Sequence, residues 1–286
     1  MSKLKAPSSP LVSVDWLNQN LYHPGLVVLD ASLKQTKNAT SSLVQETLQI
    51  PGARFFDIEN TFSDKDSLLP HMLPEPEAFT REAQKLGISK NSYIVVYDNR
   101  GIYSSPRAWW MFKAMGHGQV YVLDGGLPEW VANGFVTEPA GTVGAVTKGD
   151  FVAKYNPALV SNKEDVLQAL QNDKHSLIID ARSAARFQGK APEPRPGLRL
   201  GHMPNASNLP FETLLNNGRM KPKAELEQIF QEYPLNGSKM IFSCGSGVTA
   251  CITALGATLA GYDNFSVYDG SWSEWGASED SPIVTD

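Results

Sequence analysis

Short apolar runs alternate along the chain with segments of helical periodicity. Residues 75–86 carry a helical pattern that Gly87 ends, and residues 106–115 carry a second one that starts with Pro106 and stops before Gly116. Alternation of strands and helices is typical of a parallel sheet covered by helices on both faces. The pattern therefore predicts an α/β fold.

This pattern occurs twice in the chain. Four segments of the first half match four of the second half, in the same order and at a nearly constant offset of roughly 150 residues. The matched segments are 27–31 with 177–181, 50–53 with 203–206, 93–98 with 239–244, and 124–130 with 269–275. In the third pair Asp98 falls opposite Cys244. We interpret the chain as a tandem duplication of one α/β domain.

The duplication gives a domain organisation. Residues 222–233 and 248–259, the latter followed by Gly261, supply the helices of the second copy. Residues 139–150 are rich in glycine and small side chains and suggest a connection. The predicted parts are an N-terminal extension at 1–20, a first domain at 21–138, a linker at 139–165 and a second domain at 166–283.

Composition narrows the class of protein. The formal charge is −5, with 42% hydrophobic and 19% charged residues, which is globular composition. No cluster of Lys and Arg suggests a nucleic-acid or membrane-surface partner, and no apolar run reaches the roughly 18 residues of a membrane span. The first ten residues lack the apolar core of a secretory signal, so we expect a cytoplasmic protein. The two cysteines and five histidines show no metal-site spacing, and no metal is expected.

The segment 241–250 carries the strongest chemical signal. An apolar strand ends at Cys244, a glycine-rich turn follows, and a helix begins near Val248. Such a turn aims the backbone N–H groups of residues 245–249 at the cysteine sulfur and favours a nucleophilic thiolate. The alternative is that Cys244 is only a small buried apolar residue, and for Cys251, inside the following helix, we adopt that alternative.

The loop 244–250 resembles the active-site loop of the 3-mercaptopyruvate sulfurtransferases, and the two halves resemble tandem rhodanese domains. The resemblance extends from about residue 11 to residue 282 and includes segments 70–74, 105–111, 201–204 and 268–275. In that family only the second domain carries the cysteine, which agrees with Asp98 in the first. The resemblance implies that Cys244 is the nucleophile and that Gly245, Gly247, Val248 and Thr249 help to bind the substrate.

Four arginines suggest how an anionic substrate is held. They lie within 18 residues of one another: Arg182, Arg186, Arg195 and Arg199. By resemblance, Arg186 and Arg195 bind the substrate carboxylate, the alternative for each being a surface salt bridge. We expect Arg182 to pair with Asp180 and leave Arg199 undecided. Ala250 stands where phosphatases of this fold have an arginine, which argues against phosphatase activity.

The resemblance also implies a proton relay of Ser246, His71 and an acidic residue, Glu59 or Asp57. Because His71 lies in the first half, this relay requires the active site to form between the domains. The alternative is a hydrogen-bonded histidine that only shapes the cleft. We expect a structural role for His202, in the turn 201–204, and a place along the cleft for Arg107.

These expectations define a sulfurtransferase that needs no cofactor. Sulfur passes from 3-mercaptopyruvate to Cys244 and then to cyanide, a small thiol or a thioredoxin-like protein, with release of pyruvate. The uncharged residues 245–247 disfavour the alternative donor thiosulfate, because relatives that use this dianion resemble one another in having a basic loop. A redox-sensing scaffold and a cysteine protease or acyltransferase stay open as further alternatives.

Overall fold

The computed structural model describes residues 4–33, 47–171, 176–234 and 237–286. The chain divides into two compact units. The first unit is formed by the described parts of Met1–Asp64, Leu73–Tyr155 and Asn217–Met220, and the second unit by those of Lys65–Met72, Asn156–Asn216 and Lys221–Asp286.

The first unit is built on a five-stranded parallel sheet. The strands of the whole unit are β1 (Leu11–Val12), β2 (Leu26–Asp30), β3 (Leu48–Gln49), β4 (Arg54–Phe55), β5 (Tyr93–Tyr97), β6 (Val120–Leu123) and β7 (Glu138–Pro139). The order in the sheet is β1-β6-β5-β2-β4, while β3 and β7 form a separate antiparallel pair. The helices are α1 (Val14–Asn20), α2 (Pro76–Lys85), α3 (Ser105–Ala114) and α4 (Gly126–Ala132).

Burial explains these elements. Strands β2 and β5 pair in register, Val28 opposite Val95, and are apolar on both faces because helices cover both. Helix α2 buries only a stripe that includes Phe79 and Ala83, whereas α3 is buried on all sides, with Trp109 and Trp110 in the core.

The second unit repeats this architecture. Its strands are β8 (Val160–Ser161), β9 (Ser176–Asp180), β10 (Ser207–Asn208), β11 (Leu215–Asn216), β13 (Lys239–Ser243) and β14 (Phe265–Tyr268), while β12 (Arg219–Met220) belongs to the first unit. The parallel sheet has the order β8-β14-β13-β9-β10, which reproduces the first sheet strand for strand. The helices are α5 (Lys163–Gln171), α6 (Ala184–Phe187), α7 (Lys223–Gln231), α8 (Ala250–Leu259) and α9 (Ser271–Trp275), with 3₁₀ turns at Pro157–Leu159 and Phe211–Leu214.

The fold class and the four helices predicted from the sequence are confirmed, each helix within two residues at either end. The predicted extension at 1–20 needs correction, because β1 is a strand of the first sheet and Leu4 is buried in its core. Residues 1–3 of that extension lie outside the described residues.

The predicted linker at 139–165 is also too long. The amide of Phe151 donates to the carbonyl of Ile88 and that of Lys154 to the carbonyl of Met115, so the chain packs on the first unit as far as Tyr155. The second sheet begins at β8, before the predicted boundary at 166. These contacts join residues far apart in sequence, which is why composition alone misplaced the boundaries.

Within the described ranges, no helix is both long and apolar enough to cross a bilayer. The same part of the chain contains no cluster of three or more His, Cys, Asp or Glu side chains that could hold a metal ion.

Candidate active site

Cys244 lies where the central strand β13 of the second unit passes into α8. The residue is buried, with 2% of its surface exposed. The loop turns at Gly247, whose φ of +75° is a left-handed conformation that glycine adopts without strain. The thiol is therefore held at the carboxyl end of the sheet, directly before a helix N-terminus.

Ser271 fixes the shape of this loop. Its hydroxyl accepts hydrogen bonds from the amides of Cys244 (3.2 Å) and Gly247 (3.1 Å) and donates to the carbonyl of Tyr268 (2.8 Å). The carbonyl of Cys244 in turn accepts the amide of Trp272 at 3.0 Å. The sequence marked this segment as part of the repeat and of the family resemblance but did not predict its anchoring role, since the contact spans 27 residues.

Several loop amides are left without an acceptor. Among the hydrogen bonds of the described residues, none has as its donor the backbone N–H of Ser246, Val248, Thr249 or Ala250. Unpaired amides at a helix N-terminus carry partial positive charge and bind anions. The loop is thus equipped to hold negative charge next to the sulfur of Cys244.

The matching loop of the first unit shows such an anion in place. The Oδ2 atom of Asp98 accepts the amides of Tyr103, Ser104 and Ser105, each at 2.9 Å, and the hydroxyl of Ser105 at 2.7 Å. Its Oδ1 atom accepts the amide of Arg100 at 2.9 Å. Asp98 is fully buried and occupies with its own carboxylate the kind of amide nest that is open beside Cys244.

Arg186 lies beside the cysteine loop. Its Nη2 atom is 3.1 Å from the position that a Cβ atom would take on Gly245, so a side chain there would push the guanidinium aside. The guanidinium donates through Nε (3.2 Å) and Nη2 (2.5 Å) to the carboxylate of Glu193. Glu193 was not singled out by the sequence, where nothing marks it as a partner of the arginines.

Glu193 also joins Arg186 to a buried pair. Arg182 donates at 2.9 Å to Glu193 and, through Nη2 at 2.6 Å, to Asp180, and its guanidinium stacks 4.0 Å above the ring of Trp272. The expected Arg182–Asp180 ion pair is confirmed. Burial works against the charged form of Arg182, but the two carboxylates more than offset it and its pKa is raised.

The other two arginines differ from each other. Arg199 donates to the carbonyl oxygens of Trp275, Gly276 and Ser281, so it braces the chain end of the second unit. Arg195 is partly exposed, and among the described residues it forms no salt bridge. Its role in carboxylate binding stays a prediction.

His71 contacts the cysteine loop. The segment Lys65–Met72 belongs to the second unit although it lies early in the sequence, and Nδ1 of His71 is 3.2 Å from Oγ of Ser246. His71 has a φ of +62°, which is unusual for a residue with a side chain. The structure therefore brings together two of the three members expected for the relay.

The acidic member is not settled by these contacts. Asp57 and Glu59 belong to the first unit, where the carboxylate of Asp57 accepts the amides of Glu59 and Asn60, both at 3.1 Å. The assignment of either residue to the relay stays a prediction.

Two of three expectations about supporting residues have clear outcomes. His202 is structural as expected, since it is buried, stacks on Phe187 and has its Nδ1 2.8 Å from the carbonyl of Phe187. Arg107 is fully buried and stacks 4.5 Å from the ring of Trp110, and its place along the cleft stays a prediction. Cys251 is buried as expected and donates its thiol to the carbonyl of Gly247 at 3.2 Å.

Two similar five-stranded parallel sheets, each followed after its central strand by a loop that leads into a helix N-terminus, define a duplicated α/β domain. The model of the rhodanese-like domain matches residues 13–133 and 163–278. The chain belongs to the rhodanese family.

Its relatives are sulfurtransferases. The chain is 41% identical to the 3-mercaptopyruvate sulfurtransferase of Escherichia coli over 95% of its own length and 96% of the relative's. It is 40% identical to thiosulfate/3-mercaptopyruvate sulfurtransferase 1 of Arabidopsis thaliana over 96% of this chain and 78% of that one. The solved structure of SseA from Escherichia coli, a 3-mercaptopyruvate sulfotransferase, superposes with a TM-score of 0.81 at 37% identity, covering 93% of this chain and 99% of that chain.

Proposed function

We propose that the protein is a 3-mercaptopyruvate sulfurtransferase that carries sulfur as a persulfide on Cys244. The observation that supports this most directly is the contrast between the two nests. In the first unit the amides hold a carboxylate, and in the second the loop that follows Cys244 has amides without an acceptor among the described residues. An anionic sulfur on Cys244 would take the place that the carboxylate of Asp98 takes in the other copy.

In the first half-reaction the Cys244 thiolate attacks the sulfur of 3-mercaptopyruvate. An S–S bond forms, the C–S bond of the donor breaks, and the bonding electrons leave on the enolate of pyruvate. The proton of the donor thiol ends on the methyl carbon of pyruvate, so the net products are a Cys244 persulfide anion and pyruvate. Amides of the nest stabilise the developing negative charge, as in an oxyanion hole, where one donor contributes about 3 kcal/mol.

The donor carboxylate is placed by arginine. Arg186 lies against Gly245 and has donors left over after its pairing with Glu193, and Arg195 has its charge available. Gly245, Gly247, Val248 and Thr249 supply the backbone of the donor site, and the amides of Val248 and Thr249 have no acceptor among the described residues. Bidentate recognition of a planar carboxylate suits the guanidinium group.

Proton transfer runs through Ser246. Ser246 lies two residues after Cys244 in the chain, and its hydroxyl is 3.2 Å from the imidazole of His71. This pair can take the proton of the donor thiol and return it to the enolate, which is general acid–base catalysis. Glu59 or Asp57 would complete the relay.

In the second half-reaction an acceptor removes the outer sulfur. Cyanide takes the sulfur and leaves as thiocyanate, and a thiol takes it and becomes a persulfide. A thioredoxin-like protein serves as a dithiol acceptor. In each case the Cys244 thiolate is restored. This chemistry uses only groups of the chain and the two substrates. A reducing compartment such as the cytoplasm would keep Cys244 as a thiol, and subcellular fractionation with an antibody would test that location.

Thiosulfate is the second candidate donor, supported by the name of the Arabidopsis relative. The absence of any charged side chain from Gly245 to Ala250 argues against it as the preferred donor. A comparison of kcat/KM for the two donors, with cyanide as acceptor, separates the candidates. A preference for thiosulfate would overturn the donor assignment.

The function itself is tested by intact-mass measurement after incubation with 3-mercaptopyruvate and no acceptor. We expect one added sulfur atom on the peptide that contains Cys244, and its loss when cyanide is added. The Cys244→Ser variant should gain none, whereas Cys251→Ser serves as the matched control and should still be loaded. Sulfur on another residue, or none on the wild type, would refute the proposal.

A further inference from the structure

Residues 189–201, which we call the arginine loop, leave and rejoin the body of the second unit at one point. A Cβ atom on Gly189 would lie 3.3 Å from the amide nitrogen of Gly201, so the two ends of the loop are in contact. A Cβ atom on Gly201 would overlap the carbonyl of Val284, which accepts the amide of His202 at 2.9 Å. The arginine loop is therefore closed at its base, as Ω-loops are.

Both arms of the arginine loop are fixed to the second unit. On the first arm, the buried carboxylate of Glu193 accepts hydrogen bonds from two guanidinium groups. On the second arm, Leu198 packs against the hydrophobic core of the unit, and the carbonyl of Arg199 accepts the indole N–H of Trp272 at 3.0 Å. Within the described residues, no hydrogen bond or ion pair holds residues 194–197 between these arms.

Residues 194–197 take their shape from restraints of the backbone itself. Arg195 lies between Pro194 and Pro196, and each proline ring fixes its own φ at about −65°. A proline also restricts the residue before it to extended conformations, so Pro196 limits the backbone of Arg195 directly. Gly197 has a φ of +81°, and a proline followed by such a glycine is typical of the central pair of a type II turn.

The side chain of Arg195 extends from this restrained segment. It is partly exposed, and among the described residues it has neither a hydrogen bond nor a salt bridge. An arginine side chain loses conformational freedom when it binds a ligand, and a mobile backbone beneath it would lose more. The two prolines remove that second loss in advance, because they limit the backbone before the ligand arrives.

We propose that Pro194 and Pro196 are positioning residues that hold Arg195 ready to bind the carboxylate of the sulfur donor. This rests on the proposed function, in which Arg195 contacts that carboxylate. The prolines act through Arg195 and take no part in the transfer of sulfur to Cys244. They should therefore strengthen binding of the donor and leave the rate of the chemical step unchanged.

The test replaces Pro194 and Pro196 by alanine, singly and together, and follows pyruvate release from 3-mercaptopyruvate in a single turnover without acceptor. We expect the Kd of the donor to rise about threefold in each single variant and about tenfold in the double variant, with the limiting rate within about a factor of two. Pro24→Ala, which removes an exposed proline of the first unit, is the matched control and should leave Kd unchanged. An unchanged Kd in the double variant, or a loss confined to the limiting rate, would overturn the inference.

A second series separates positioning from a general loosening of the fold. Arg195→Ala alone should raise the Kd of the donor about 10- to 100-fold. In that background the proline substitutions should have no further effect, because the residue through which they act is gone. Proline effects of undiminished size in the Arg195→Ala background, or an Arg195→Ala variant with the wild-type Kd, would refute the positioning role.

The proposed function is checked separately by the mass of wild-type Cys244 after incubation with 3-mercaptopyruvate. Absence of an added sulfur there contradicts the proposed function itself. Normal loading of the wild type, together with proline variants that bind the donor as the wild type does, contradicts only the role of Pro194 and Pro196.

Discussion

Ser105 donates both its amide, at 2.9 Å, and its hydroxyl, at 2.7 Å, to Oδ2 of Asp98. This places a buried negative charge at the N-terminus of α3, where the helix dipole and the amides that donate to it stabilise it. The first copy of the domain thus keeps the anion-binding loop and satisfies it from within. The second copy has Cys244, the proposed nucleophile, at the same point of its sheet.

Asp98→Asn should destabilise the first unit. The variant removes the charge and turns an NH₂ group toward amides that need an acceptor, and we expect a loss of about 2–4 kcal/mol in the free energy of unfolding. Denaturant unfolding measures it, with the exposed Asp263→Asn as the control. A loss in the free energy of unfolding below that of the control would show that the carboxylate contributes nothing to the loop. Sulfur loading of Cys244 in folded protein should be unchanged.

Arg186→Ala should weaken donor binding. Loss of a charge-assisted contact to the donor carboxylate should raise KM for 3-mercaptopyruvate about 10- to 100-fold. The rate at which cyanide discharges a preformed Cys244 persulfide should change far less, because no donor is bound in that step. Unchanged sulfur transfer would favour the alternative that the protein is a redox-sensing scaffold.

Ser246→Ala and His71→Asn test the proton relay. Asparagine is chosen because it tolerates the left-handed backbone of His71. Each variant should lower the rate of persulfide formation from 3-mercaptopyruvate about 100-fold. Discharge to cyanide requires no proton transfer and serves as the internal control. Equal effects on both half-reactions would instead indicate that His71 only shapes the loop.

Stability at low pH should depend on His117. Its pKa is lowered to about 4 because burial removes the imidazolium from water and Lys113 adds repulsion, although a hydrogen bond with the backbone of Ser89 works in the opposite direction. The unfolded chain, with a pKa near 6.5, therefore binds the proton first as pH falls. Above about pH 6.5 the imidazole of His117 does not change the free energy of unfolding. By pH 4 it should lower that free energy by about 3 kcal/mol.

The measurement is the free energy of unfolding as a function of pH. His117→Phe, which keeps a ring beside Phe112 and Phe151, should remove this part of the slope. A variant that shows the wild-type slope between pH 6.5 and 4 would contradict the assignment.

Much of the fold follows from local pattern. The helices at 75–86 and 248–259 were found because apolar periodicity, Pro and Gly are short-range signals, and the repeat placed Asp98 opposite Cys244. The domain boundaries were missed where residues distant in sequence contact each other, as Phe151 contacts Ile88. No local pattern encodes such contacts.

By itself, the sequence determined that the protein is a duplicated α/β chain with a cysteine in a glycine-rich loop between a strand and a helix, because these features depend on neighbouring residues. Only the tertiary structure decided that Glu193 holds Arg186 and that Ser271 ties down the cysteine loop. Such pairs are selected by burial: a charge or amide taken out of water needs a partner, and the packing of distant segments determines which partner is within reach.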